Sequence, residues 1–175
     1  GLSWASILGL MSSEIDEMIV SPTKRGAIVN FVYQALLPKY PLAGMSERDR
    51  DMIVYIATER AFAQSDEPLI QYHLLKVIHP DWFTVTDANF DTEMAAFLQN
   101  VSDIQNHLIN PKVSPVARHM KRHLPPYRII RDMFIENDGA IRPIVEDETR
   151  LTAELERVAD VRYKETGAKI QRAVV

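Results

Sequence analysis

Two pairs of residues in this chain have spacings that chemistry uses. His119 and His123 stand four apart, which on a helix places both imidazoles on one face, as a two-histidine metal site requires. The residues between them argue against it. Met120, Lys121 and Arg122 occupy the places where a zinc protease carries its glutamate base, and the local positive charge opposes a divalent cation, so no metal is expected. Asp103 and His107 repeat the spacing and can form a hydrogen-bonded pair. Such pairs are usually surface ion pairs, and this one would be the first acid–base pair to test in an enzyme.

Other chemistries lack their parts. There is no cysteine, which excludes disulfides, thiolate-bound zinc, iron–sulfur clusters and a thiol nucleophile. The six glycines are too scattered for a dinucleotide fingerprint or a phosphate-binding loop. No Gly-x-Ser-x-Gly elbow exposes a serine. No cofactor is expected. The acidic groups Glu14, Asp16, Glu17 and Glu146, Asp147, Glu148 fall near expected helix starts, where carboxylates complement the helix dipole.

Charge is distributed unevenly. Residues 1–103 hold 7 basic and 14 acidic side chains, residues 104–131 hold 6 basic and none acidic, and residues 132–175 hold 7 and 10. The net charge of −4 therefore conceals a basic island: Lys112, Arg118, Lys121, Arg122, Arg128 and Arg131, interleaved with His107, His119, His123 and Tyr127. Within 112–131, the anion-binding candidates are Lys112, Arg118, Lys121, Arg122, His123, Arg128 and Arg131. Arg118, Lys121 and Arg122 share one side of a short helix, and Arg128 follows the Pro125-Pro126 corner, so four cations could meet one phosphate. RNA, an anionic lipid surface or an acidic protein would each fit. The alternative is that these cations pair with acids of the same chain or a neighbouring copy.

The elements that would position these groups read as helices throughout. With 175 residues and 46% hydrophobic content the chain can bury one sizeable core. Ser3 opens an amphipathic segment to about Val20, with Ser12 and Ser13 offering a break. Ser21-Pro22 caps a second, with Ala27, Ile28, Phe31, Val32, Ala35 and Leu36 as its apolar face. Ser46 and Asp49 have capping-box spacing before a central helix with Met52, Ile53, Ile56, Ala57, Arg60 and Ala63 on one side. Ser65 or Asp66 opens the next, which holds Leu69, Tyr72, Leu75 and Val77 and ends near His79-Pro80. Asp91 opens another, with Met94, Phe97, Leu98, Val101, Ile104, Leu108 and Ile109 at helical steps. The glycosylation pattern Asn100-Val101-Ser102 lies inside it and reads as chance.

Ser114-Pro115 starts a short helix that Pro125-Pro126 ends. Tyr127 to Glu136 favours a helix over a hairpin turning at Asp138-Gly139, so a short hairpin near 133–142 stays open. The last helix, from about Ile144, has a narrow stripe of Ile144, Leu151, Leu155 and Val158 and is polar nearly all round beyond Asp160. The expectation is an all-α bundle of about seven or eight helices spanning 1–160, with 161–175 as a polar helix end or partner-binding tail.

No run is long and apolar enough for a transmembrane helix: Leu2 to Leu10 is about nine residues against the roughly 20 that a span needs. No signal peptide is recognised, and the start at Gly1 suits a processed product or a piece of a longer protein. Location inside a cell or a virus particle is expected.

Ser21-Pro22-Thr23-Lys24-Arg25-Gly26-Ala27-Ile28-Val29-Asn30-Phe31-Val32 is similar to a helix of orthomyxovirus matrix proteins, and the basic stretch Arg118 to Arg122 resembles their basic patch. The resemblance implies an all-helical, oligomerising shell protein that contacts membrane and ribonucleoprotein. It covers about a dozen residues, and both the spacing between the two features and the acidic net charge depart from that family. It illustrates a class without assigning membership. The reading is a non-enzymatic structural or interaction protein, a homo-oligomer facing an anionic partner and of a viral or phage matrix or nucleocapsid kind. An enzyme or regulator that binds a phosphorylated or carboxylated small molecule at the same surface is the alternative.

Overall fold

The computed structural model describes residues 3–19, 22–80, 85–137 and 140–173, with side chains apart from those of 22–25 and 165–173. Among the described residues there are nine α-helices and no strand: α1 Trp4–Ile19, α2 Pro22–Leu36, α3 Glu47–Thr58, α4 Glu67–Ile78, α5 Phe90–Leu108, α6 Val113–Met120, α7 Pro125–Glu136, α8 Arg142–Val145 and α9 Glu148–Ala173. The fold is all-α, as the periodicity predicts. The contacts divide into two units, 1–122 and 123–175.

In the first unit α3 is central and packs against α2, α5 and α6, while α4 packs against α5 and α1. Its start follows the capping-box reading, because Ser46 Oγ accepts the Asp49 amide at 3.1 Å. Ile53, Val54, Ile56 and Ala57 are fully buried. Thr58 is also buried and donates its hydroxyl to the Val54 carbonyl at 2.8 Å. The chain then widens into a π-turn, Glu59–Ala63, and leaves it through Gln64 in the left-handed region at φ 57°. This turn rotates the expected stripe. Glu59 takes the inward place predicted for Arg60, whose guanidinium instead donates to the Leu108 carbonyl at 3.1 Å and pairs with Glu67.

Several boundaries differ from expectation for identifiable reasons. Ser12 and Ser13 do not break α1, because Ser13 is buried and donates to the Gly9 carbonyl at 2.9 Å within the helix. Glu14, Asp16 and Glu17 lie in the second half of α1, not at a helix start. In α2 the buried residues are Ile28, Val29, Val32 and Leu36, with Phe31 exposed; the Ser21 cap lies outside the described residues. Asp66 caps α4 at the Leu69 amide, while Val77 faces outward. Phe97, Val101, Ile104 and Leu108 form the buried line of α5, and Leu98 and Ile109 are exposed. Ser114 sits inside α6, which has no side-chain cap.

In the second unit the two prolines do more than stop a helix: Pro125 opens α7 at its first turn, where the missing amide costs nothing. Tyr127 to Glu136 is helical, and no hairpin forms at 133–142 among the described residues; the Asp138-Gly139 turn lies outside them. Asp147 caps α9 through the Thr149 and Arg150 amides. Helix α9 packs on α7 and α8 around Leu124, Met133 and Val158, the apolar side chains buried in this unit among the described residues. A core of that size is marginal.

The close approach of α1 to α4 depends on Gly9. A Cβ built there would lie 3.1 Å from Cβ of Pro68, part of a rigid ring. Gly9→Leu is expected to lower stability by about 1–3 kcal/mol, read as a lower urea midpoint; an unchanged midpoint would show that α1 does not seat there.

Candidate functional site

A buried ionic cluster ties three elements of the first unit together. Glu59, with no exposed surface, accepts from Tyr55 Oη at 3.1 Å and from His73 Nδ1 at 2.7 Å on one oxygen, and from Ser65 Oγ at 2.6 Å on the other. His73 Nε2 faces Glu17 Oε1 at 3.0 Å, and Lys76 Nζ meets Glu17 Oε2 at 2.6 Å. Both imidazole nitrogens therefore face carboxylate oxygens, and the ring lies between two acids. The local folding explains the arrangement. Tyr55 reaches Glu59 one helical turn on, and the π-turn brings Ser65 back, its amide donating to the Glu59 carbonyl at 3.2 Å. His73 and Lys76 come from α4, and Glu17 from α1.

Burial alone would push the Glu59 carboxyl up. The hydrogen bonds and charge of His73, joined by Ser65 and Tyr55, overcome it and hold the group below its ordinary value. Burial and the adjacent Glu59 charge push the Tyr55 phenol up, so it remains a donor. Every oxygen of Glu59 and both nitrogens of His73 are engaged, and Ser65 spends its hydroxyl on the carboxylate. The cluster acts as a clamp. A polar cavity of about 360 Å³ beside it is lined by Ser12, Asp16, Gln64, Ser65 and Asp66 among others. Asp66 is occupied as the cap of α4.

The predicted acid–base pair is rearranged. His107 bonds the Asp103 backbone carbonyl at 2.7 Å, and its Nε2 meets Asp49 Oδ1 at 3.0 Å, whereas the Asp103 carboxylate accepts from Gln99 and faces Arg48. The Ser46 hydrogen bond, reinforced by His107, holds the Asp49 carboxyl low. His119 Nδ1 lies 3.1 Å from the Tyr40 hydroxyl, with the rings edge to face. His119 and His123 belong to different units.

The basic island is divided between the units as well. Lys112, Arg118, Lys121 and Arg122 are exposed in the first unit, the last three opposite the buried Val113, Val116, Ala117 and Met120. His123, Arg128 and Arg131 lie in the second. Arg131 pairs with Asp132 at 3.0 Å, and Arg162 of α9 binds the other oxygen of that carboxylate. Burial would raise the Asp132 carboxyl, but Arg162 and Arg131 hold it low. Arg128 is half-buried and lines an apolar pocket of about 390 Å³ with Pro125, Ile129, Ala159, Arg162 and Tyr163. Arg162 and Tyr163 line this pocket beside Arg128, and no local sequence motif announces them.

A third surface lies on α1, whose Trp4, Leu8, Met11, Ile15, Met18 and Ile19 are all exposed. Comparison of the chain with family models, with curated proteins and with solved structures finds no match. Among the described residues no helix is long and apolar enough to cross a membrane.

The clamp has a pH signature. A carboxyl lowered by folding contributes stability above its unfolded pKa, about 4.5, and loses it as pH falls through the folded value. Glu59→Ala is expected to cost about 3–5 kcal/mol at pH 7. Glu59→Gln should cost less at pH 4 than at pH 7 in urea titrations; an equal cost at both would mean that the carboxylate charge contributes nothing.

Proposed function

We propose that this chain is a non-catalytic interaction protein that self-associates and meets an anionic partner through the basic residues of 112–131. The observation that carries the reading is the stripe of six large apolar side chains left in water along α1. Monomeric proteins rarely expose contiguous apolar patches beyond a few hundred Å², and larger ones mark docking surfaces. The buried Glu59–His73–Glu17 cluster supports the same reading, because its groups are committed to one another.

The exposed Lys112, Arg118, Lys121 and Arg122 supply the anion-facing surface of the first unit, and His123, Arg128 and Arg131 are a separate set of candidates in the second. RNA is the first partner to test, and anionic lipid or an acidic protein would use the same charges. The working place in this reading is the interior of a cell or of a virus particle, in the manner of matrix and nucleocapsid proteins.

A second reading, a regulator or enzyme binding a phosphorylated or carboxylated small molecule, is favoured by the second-unit pocket. Its volume of about 390 Å³ falls in the small-ligand range, and Arg128 and Arg162 both line it. Arg162 is held by Asp132, which leaves Arg128 as the adaptable clamp.

Light scattering across protein concentration, at low and physiological salt and with a mixed-sequence RNA oligonucleotide, separates these readings. Self-association should persist with salt, and RNA capture through four to six phosphates should fall by orders of magnitude as salt rises. A monomer at every concentration that ignores RNA would contradict the proposal. Calorimetry with inorganic phosphate addresses the second reading: salt-tolerant binding abolished by Arg128→Ala would support it, and none would remove it.

A further inference from the structure

We infer that α1 pairs antiparallel with α1 of a second copy of this chain, an inference that rests on the self-association proposed above and names the surface that performs it. The exposed residues Trp4, Leu8, Met11, Ile15 and Met18 step by four, three, four and three, the spacing of a two-helix seam. Ile19 extends it. Trp4, Met18 and Ile19 are 70%, 78% and 76% exposed, and the others are about half exposed. The opposite side of α1 is occupied, since Gly9 approaches Pro68, Ser13 is buried, and Glu17 binds His73 and Lys76. The helix is thus anchored by its small and polar face and presents its large apolar face outward.

The size of the face fits a dimer. Large side chains offer roughly 150–250 Å² each when free. At the observed exposures the four that oppose one another in the antiparallel register, Trp4, Leu8, Met11 and Ile15, present roughly 450 Å² per copy, the size of a weak, concentration-dependent dimer, with Met18 and Ile19 at its ends. Sixteen residues make a helix about 24 Å long, enough for two full heptads.

Charge selects the occupant and its direction. Helix α1 carries Glu14, Asp16 and Glu17 and no lysine, arginine or histidine. Helices that lie on anionic membranes carry basic polar faces, so a lipid surface is disfavoured, and RNA would be repelled. A second copy brings an identical seam, which closes into an isologous pair. Parallel pairing would set the two acidic clusters side by side. Antiparallel pairing separates them and opposes the helix dipoles, with Leu8 of one copy against Met11 of the other and Trp4 against Ile15.

The test uses the full chain. Sedimentation across concentration should show wild type self-associating, with Leu8→Lys and Ile15→Lys raising the dissociation constant about 30-fold or more. Gln34→Lys, which places a charge on an exposed part of α2, should leave it unchanged. Circular dichroism checks that the variants stay helical. Because the chain has no cysteine, introduced thiols report alone. A mixture of Leu8→Cys and Met11→Cys chains should cross-link more than either variant alone. Wild type that stays monomeric would overturn both the pairing and the self-association beneath it. Wild type and lysine variants associating equally would overturn the α1 pairing while leaving self-association standing. Preferential cross-linking of Leu8→Cys to itself would overturn the antiparallel arrangement.

Discussion

The first unit depends on a fully buried carboxylate. Glu59 sits at the end of the central helix with no exposed surface, where an unpaired charge would cost several kcal/mol. Its position is tolerable because three donors converge on it, and each donor binds a different piece of chain to the same point. Tyr55 fixes the last turn of α3, Ser65 fixes the exit from the π-turn, and His73 fixes α4. The other ring nitrogen of His73 lies 3.0 Å from Glu17 Oε1 and so reaches α1. A single charge in the core thereby sets where a surface helix lies.

That placement explains the unusual orientation of α1. Amphipathic helices normally bury the face with the larger apolar side chains. Here the inward face is Gly9, Ser13 and Glu17, chosen for close approach to Pro68 and for the ionic clamp, and the large side chains are left outward. The clamp therefore uses one face of the helix, and the opposite face, proposed above as the self-association surface, can change its side chains without disturbing the clamp. In the second unit Asp132 holds both Arg131 and Arg162, and Arg162 lines a pocket together with Arg128.

Much of the helical framework was legible in the sequence because its signals are local. The Ser46 and Asp66 caps, the buried line Phe97, Val101, Ile104 and Leu108, and the helix through Tyr127 to Glu136 each follow from a few neighbouring residues, whereas Pro125-Pro126 reads only as a stop and in fact opens α7. The clamp was not, because its partners are separated by up to 59 positions and meet only through packing. One signal was available: Glu59 stands three residues after Ile56 and seven after Met52, so a charge lies on the buried face of the central helix. Helical spacing places Arg60, four residues after Ile56, on that face as well, and the π-turn decides between the two in favour of Glu59. The same distance problem affects Asp103 and His107, where Asp49, 58 positions from His107, is the true partner.

The central claim is that α1 is held from within and docks outward, and amide hydrogen exchange on the full chain at low and high protein concentration tests it directly. Residues 4–19 should exchange more slowly at high concentration while α3 and α5 stay unchanged, and Glu59→Gln should speed exchange in α1 at either concentration. Exchange in α1 that ignores both concentration and the loss of the Glu59 charge would contradict the account.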